Sequence, residues 1–488
     1  MNGKPKKLVL AVIDALKPEM LDRAVAQGRA PALAALIERG VYIRDCVSTF
    51  PSVTPVASAT IATGLGPDRH GIPAMNWWHR GEERYVEYGS SFDAARAFGI
   101  VRQLNDLIYN MNLAHLTREH RTVFEHLDDA GLRTAGTTYL IYRGRTRHAP
   151  VRAGVYARLA RIAQLRHGVW GPDELFYADI FESRATGCRS TLGLPGQRDQ
   201  HAGCVGAHLV ENDLFDFLLF SLPDNDSFSH KRGPYAQVSS IALADRALER
   251  IMHVAGGVDA FLEEHAIMVM SDHSQLEVQD RLNLAEALGS WRVLGPHGEP
   301  EEAEIAVCPS QRAASVYALD PERRDDVARR VARDLDGVDG VDLVLLTDND
   351  AARVSSPRGQ LRFAPGGEVV DRRGESWSIE GDLDALALQV EDGEVTSRLY
   401  PDPLGRLWSA LRCPASGDVL VSLAPGFECV DWGGAVHVGG GSHGSLHRGD
   451  SLGALILCGT GPGSAGSRRE WSLRDVTPMV LEHFSLPS

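Results

Sequence analysis

No C-x-x-C pair occurs among the seven cysteines, which are scattered singly over 488 residues. That leaves no disulfide framework to read, and an odd, sparse set predicts reduced thiols in a cytoplasmic protein. Cys188 and Cys204, near each other in sequence, can pair. Basic charge is also short: 50 Lys and Arg stand against 65 Asp and Glu, a formal net charge of -15. This excludes a general binder of nucleic acid polymers, which needs a basic face. It leaves room for a small anionic substrate, because bound metal ions can reverse the sign inside a pocket. Long apolar runs are missing, and nothing approaches the roughly 20 residues of a membrane span, so no membrane partner is expected. Lys4, Lys6 and Lys7 before Leu8 to Ile13 faintly imitate a signal peptide. Asp14 cuts that run short and no Ala-x-Ala cleavage site follows, so it reads as a first buried strand. There is no internal repeat and no long low-complexity tract.

What is present is an ordinary hydrophobic share, 43%, enough for a sizeable core. The length suits two or three domains, or one large domain with insertions. Leu8 to Ile13, Phe215 to Leu222, Ala266 to Met270 and Gly453 to Leu457 are short apolar runs of the kind buried on both faces of a sheet. Val41 to Cys46 and Arg133 to Tyr142 also read as strands. Helical stretches lie between them: Pro18 to Gly40, broken near Pro31; Thr54 to Gly64; Thr122 to Gly131; Ile241 to His265; Leu473 to Phe484. Thr54 at N-cap, Pro55 at N1 and Gly64 at the end form a complete helix signature. The alternation predicts an α/β fold, with a mostly parallel central sheet and helices on both faces. Residues 1–280 and 411–488 are expected to form the core, with an irregular, aromatic cap at about 75–205. Residues 281–410 have another texture: a strand at Ala314 to Ala318, an amphipathic helix at Pro321 to Asp336, a strand at Val341 to Leu346, then hairpins to Gly393. They read as a small α+β insertion.

In such sheets the active site lies beyond the carboxyl ends of the strands. Asp14 follows the first run directly. Asp226 and His230 lie just past Leu222, and Asp272 and His273 just past Met270. His443 sits in the loop Gly439-Gly-Gly-Ser-His-Gly444, and Thr54 opens a helix. Each alone has an ordinary explanation: an Asp after a strand is usually a turn or cap residue, and a Gly-rich loop is usually just flexible. Together they supply three aspartates and three histidines, the mixed oxygen and nitrogen donors that zinc-like ions take.

Phe50-Pro51-Ser52-Val53-Thr54, Ala62-Thr63-Gly64 and Pro67-Asp68-Arg69-His70-Gly71-Ile72 resemble the nucleophile segment of type I phosphodiesterases and nucleotide pyrophosphatases, in the alkaline phosphatase superfamily. Asp226-x-x-x-His230-x-x-Gly233-Pro234, Ser271-Asp272-His273, Gly441-Ser442-His443-Gly444 and Asp475-Val-Thr-Pro478 resemble the family's later motifs. The resemblance implies two divalent metal ions, Zn2+ first, with Mn2+ and Mg2+ as alternatives. Asp226, His230 and His443 would hold one ion; Asp14, Asp272 and His273 would hold the other, its shell completed by Thr54. His70 would be structural.

The resemblance further implies that Thr54 is a nucleophile, transiently phosphorylated. A threonine hydroxyl is weak at neutral pH and a nearby divalent ion makes its deprotonation far easier. At the helix start, the Val56 and Ala57 amides are expected to face the phosphoryl oxygens. Many relatives carry Asn where this chain has Ala57; Asn76 or a residue of 143–166 is the expected substitute. The substrate is expected to be a small phosphate diester or pyrophosphate, the diester being favoured if Trp77, Trp78, Tyr85 and Tyr88 line the pocket. The alternatives are a phosphomonoesterase, a phosphonate hydrolase and, from another class, a non-catalytic metal-binding protein.

Overall fold

The computed structural model describes residues 5–151, 164–461 and 469–487. Eight strands form the central sheet: β1 (Lys7–Ile13), β2 (Val41–Val47), β3 (Thr134–Thr137), β4 (Glu174–Tyr177), β5 (Phe181–Glu182), β6 (Phe217–Leu222), β7 (His265–Met270) and β8 (Leu452–Cys458). Their spatial order is β2-β8-β7-β1-β6-β3-β4-β5. The side chains of β1 show why the apolar runs become strands buried on both faces. Leu8, Leu10 and Val12 enter one core, with the helices Thr54–Thr63, Val123–Asp129 and Val476–His483. Val9, Ala11 and Ile13 enter the other, with the helices Pro31–Arg39, Arg198–Glu211 and Val238–Val254.

Helices on both faces match the expectation, but the sheet is mixed rather than mostly parallel. β7, β1, β6, β3 and β4 run parallel. β8 is antiparallel to both β7 and β2, and β5 to β4. The reason is the path of the chain, since β8 is entered from the opposite end to its neighbours. Val47 pairs with Leu452 and Met270 with Leu455. The end of β2 and the start of β8 therefore share the sheet edge on which β1, β6 and β7 finish.

A second sheet of nine strands among the described residues is antiparallel apart from one parallel bridge, Val370 to Glu394. It takes strands from 305–397 together with Val419–Leu423. The helix Arg324–Leu335 packs on one face through Val327, Val331 and Leu335. The hairpins expected after Asp348 are Ala351–Ser356, Gly359–Val370 and Ser376–Gly381. The sheet is tied to the core by the turn after Ile305–Ser310. There the Arg312 amide donates to the His443 carbonyl at 2.9 Å, and the fully buried Arg312 guanidinium donates to Asp450 at 2.6 Å.

The segment 133–142, expected as one strand, is a strand only over Thr134–Thr137. Ile241 to His265 is two helices, interrupted at Gly256 and Gly257, both with left-handed backbone. Cys188 and Cys204, the pair the sequence left open, are joined as a disulfide with Cα atoms 5.8 Å apart, against the expectation of reduced thiols throughout. The other five cysteines are free and buried.

Candidate active site

Three parallel strands deliver the carboxylates. Asp14 leaves β1 with its amide bonded to the Leu222 carbonyl at 3.1 Å, so the ends of β1 and β6 are locked side by side. Asp272, past β7, accepts the Ala15 amide at 3.1 Å and the His273 amide at 3.0 Å through Oδ1. Asp226 and His230 lie one turn apart on the helix Asp224–Arg232, with His230 Nε2 3.3 Å from Asp226 Oδ2. Antiparallel β8 brings in the loop that precedes it, placing His443 Nε2 3.6 Å from Asp226 Oδ1. Thr54, after β2, sets Oγ1 3.2 Å from His273 Nε2.

All seven residues singled out from the sequence thus meet at one edge of the sheet. Asp14, Asp272 and His273 form one trio with donor atoms within 4.8 Å of one another. Asp226, His443 and His273 form a second, so His273 borders both, its ring stacked on His443 at 3.7 Å. His230 joins the second group through Asp226. Each imidazole turns Nδ1 to a backbone carbonyl: His230 to Gly441 (2.8 Å), His443 to Ser52 (2.8 Å) and His273 to Ser274 (3.2 Å). That leaves Nε2 of all three facing the carboxylates, the orientation a metal-binding histidine takes.

The buried acids and imidazoles act strongly on one another. Burial, with the Asp272 and Asp226 carboxylates beside it, pushes Asp14 well above the usual carboxylate range. Burial works the same way on Asp226, but His230, His443 and His273 outweigh it and hold that carboxyl far below its ordinary value. Burial and the neighbouring His273 lower His443 strongly. Asp14 Oδ1 and His443 Nε2 are buried with no hydrogen-bond partner among the described residues. Unpaired buried acceptors are costly, and this donor set of carboxylate oxygen and imidazole nitrogen fits a divalent metal.

Around Thr54 the structure departs from the sequence reading. Val53 is the N-cap and Thr54 the first helical residue, its side chain making no cap bond. The hydroxyl is therefore available to His273. The Val56 and Ala57 amides are not available to a ligand, since both donate to the Val53 carbonyl, at 3.1 and 3.0 Å. His70 is remote from ligation: it is fully buried, Nδ1 accepting the Ile72 amide and Nε2 contacting Thr60 Oγ1.

A cavity of about 390 Å³ opens from Thr54, Asp14, Asp226, Asp272, His230 and His443. Its outer wall is apolar, with Leu104, Leu107, Ile108, Leu140, Tyr177 and Ile180. Of the expected aromatic shelf only Tyr88 lines it. Trp77 and Trp78 border a separate surface hollow, and Tyr85 is spent on the Leu294 carbonyl at 2.7 Å. Hairpin geometry decides this, for Trp77 and Trp78 are held in the strand Asn76–His79. Asn76 does not line the cavity either, and part of the 143–166 stretch, residues 152–163, lies outside the described residues. Among the described residues Arg198 is the one Lys or Arg on the wall, and its guanidinium is paired with Asp224 at 2.8 Å.

Several polar groups at the site carry no signal in the sequence. Gln275 donates to Asp226 Oδ1 at 2.5 Å, and buried Glu428 holds His437 and Ser442 of the His443 loop. Gln311, from the second sheet, lies 3.5 Å from His230 Nε2. Only the adjacency of Gln275 to His273 could have drawn notice.

The pattern of the type I phosphodiesterase / nucleotide pyrophosphatase family matches residues 8–363. Among solved structures, the chain is similar to phosphonoacetate hydrolase from Sinorhizobium meliloti 1021 in complex with phosphonoformate, with 17% identity and a TM-score of 0.57. It is also similar to human ectonucleotide pyrophosphatase/phosphodiesterase 5, with 12% identity and a TM-score of 0.56. An inactive form of the murine protein in complex with AMP gives 11% identity and a TM-score of 0.54. Each alignment covers 99% of this chain and 96% of the other, and at these identities it shows a shared fold. With its family pattern and its alkaline phosphatase-like fold, the chain belongs to the type I phosphodiesterase / nucleotide pyrophosphatase family of the alkaline phosphatase superfamily.

Proposed function

We propose that the chain is a metal-dependent hydrolase of small phosphate diesters or pyrophosphates that works through a phosphothreonine at Thr54. The observation that carries this reading is the placement of Thr54 Oγ1 at 3.2 Å from His273, within a buried group of three aspartates and three histidines. Asp14, Asp272, His273 and Thr54 would hold one divalent ion and Asp226, His230 and His443 the other, with Zn2+ favoured by the mixed donors. When bound, the ions supply the positive charge that favours the threonine alkoxide and the departing oxygen.

The bond from Thr54 Oγ1 to phosphorus forms as the phosphorus–ester oxygen bond breaks, and the departing alcohol takes up the proton that the hydroxyl loses. Water then opens the phosphothreonine and restores Thr54. The Thr54 N–H precedes the helical hydrogen-bond ladder and would be free to donate to a phosphoryl oxygen. Two displacements retain configuration at phosphorus.

The cavity favours a diester over a monoester. A dianionic phosphate needs cations around it, and the lone guanidinium on the described wall is already neutralised by Asp224. An apolar ester group suits Leu104, Leu107, Ile108 and Ile180. A phosphonate is the second reading, supported by the likeness to phosphonoacetate hydrolase. No helix among the described residues is long and apolar enough to cross a membrane. The Cys188–Cys204 disulfide favours an oxidising compartment over the cytoplasm.

Replacement Thr54→Ala, assayed with bis-p-nitrophenyl phosphate beside p-nitrophenyl phosphate, tests the reading. The expected result is loss of turnover by at least about 10³-fold with two metals per chain retained. Wild-type-like turnover would rule out the covalent route, and absence of divalent metal from active wild-type protein would rule out the metal assignment.

A further inference from the structure

The turn between the strands Ile305–Ser310 and Ala313–Ala318 presents Gln311 to the cavity, beside His230 and His443. Its backbone has φ of 61°, a left-handed conformation that costs a side-chain-bearing residue and that glycine adopts freely. The fold does not need a glutamine for this turn. Its main chain is nonetheless fixed on both sides. The Gln311 carbonyl accepts the Cys429 amide at 2.7 Å, and the next residue, Arg312, bonds the His443 carbonyl, Asp450, Phe427 and Ala424. A strained backbone held this firmly is found where a side chain must be aimed.

Gln311 is 8% exposed, and its Oε1 is buried with no partner among the described residues. Its Nε2 lies 3.5 Å from His230 Nε2. His230 Nδ1 faces the Gly441 carbonyl at 2.8 Å and its Nε2 also lies 3.3 Å from Asp226 Oδ2, so Gln311, at 3.5 Å, is a weak partner of that ring. The carboxamide is therefore short of strong partners while it lines the cavity beside Asp226, His230 and His443. At the same centre Ala57 offers no polar group and the Val56 and Ala57 amides are already spent.

We propose that Gln311 contacts the substrate, its carboxamide N–H donating to an anionic non-bridging oxygen of the phosphoryl group. The second sheet thereby adds a side-chain donor to a site built mainly on the central sheet. This rests on the phosphoryl-transfer reading above. Donors of this kind act most strongly where charge builds up in the transition state.

The test uses the full-length, metal-loaded chain carrying Gln311→Gly, because glycine removes the side chain while relieving the backbone. The expected kcat/KM for bis-p-nitrophenyl phosphate falls by about 10²-fold, and inhibition by vanadate weakens by a similar factor. Metal content stays at the wild-type value, and the urea midpoint stays level or rises. Turnover and vanadate inhibition both within twofold of wild type would overturn the proposal. So would a loss of activity that comes with loss of metal or a lower midpoint, since Gln311 would then merely support His230. If wild-type protein hydrolyses no phosphoryl ester, the underlying reading fails, an outcome distinct from an active wild type with an equally active variant.

Discussion

His70 is buried as a neutral ring, held by the Ile72 amide at 3.1 Å and by Thr60 Oγ1 at 3.2 Å. Burial lowers its pKa to about 3, whereas in the unfolded chain it titrates near 6.5. Below pH 6.5 the unfolded state therefore binds the extra proton. Stability is full above 6.5 and falls by about 1.4 kcal/mol per pH unit as the pH drops towards 3. Between pH 7.5 and 5.0 the wild type is expected to lose about 2 kcal/mol more than His70→Gln, measured by urea unfolding; parallel losses would contradict this. At this scale the sequence was most informative for the clustered aspartates. Asp14, Asp226 and Asp272 each follow an apolar run, and strand ends in such sheets converge. Gln311 was invisible for the same reason in reverse, since it lies in a turn of the other sheet, and only the fold brings it to His230. Thr54 was mistaken for a cap because threonine and proline fit either of the first two helix positions; its hydroxyl makes no cap bond and instead contacts His273.

Among the elements, the glycine-rich loop at 439–444 is shaped by space more than by flexibility. A Cβ at Gly440 would run into the His230 carbonyl oxygen, and one at Gly441 into the Gln275 side chain, with Pro234 and Ser229 close behind. Gly444 has φ of 120°, and a Cβ there would press on the Ser310 carbonyl and the Arg312 amide. The loop is thus squeezed between the Asp224–Arg232 helix and the second sheet, and this fixes His443 against Asp226. Gly440→Ala is expected to push the two apart, since added volume in a tight contact forces the backbone to move. Activity should fall at least about tenfold, with selective loss of one of two metals by elemental analysis; full activity with both metals would contradict the account. Element type was legible wherever the apolar period was clear, as in β1, β6 and β7. The direction of β8 was not, because its residues would suit either orientation and the chain's return path from the second sheet decides it.

For the whole molecule, two sheets build one site. The central sheet supplies the carboxylates and His273 from parallel strand ends, and antiparallel β8 lets the His443 loop enter at the same edge. The second sheet adds Gln311 and is clamped to that loop by the buried Arg312–Asp450 pair. Removing one partner of such a pair is costly, so the two sheets are coupled through the site itself. A chain with net charge of -15 gathers three of its carboxylates here beside three histidines, a donor set that fits a divalent cation. The central claim is that the phosphoryl group passes through Thr54. Its most direct test is the stereochemical course of hydrolysis of a phosphorothioate diester chiral at phosphorus, in isotopically labelled water. Two in-line displacements give retention, the result this account predicts; inversion would show a single direct attack by water and contradict it.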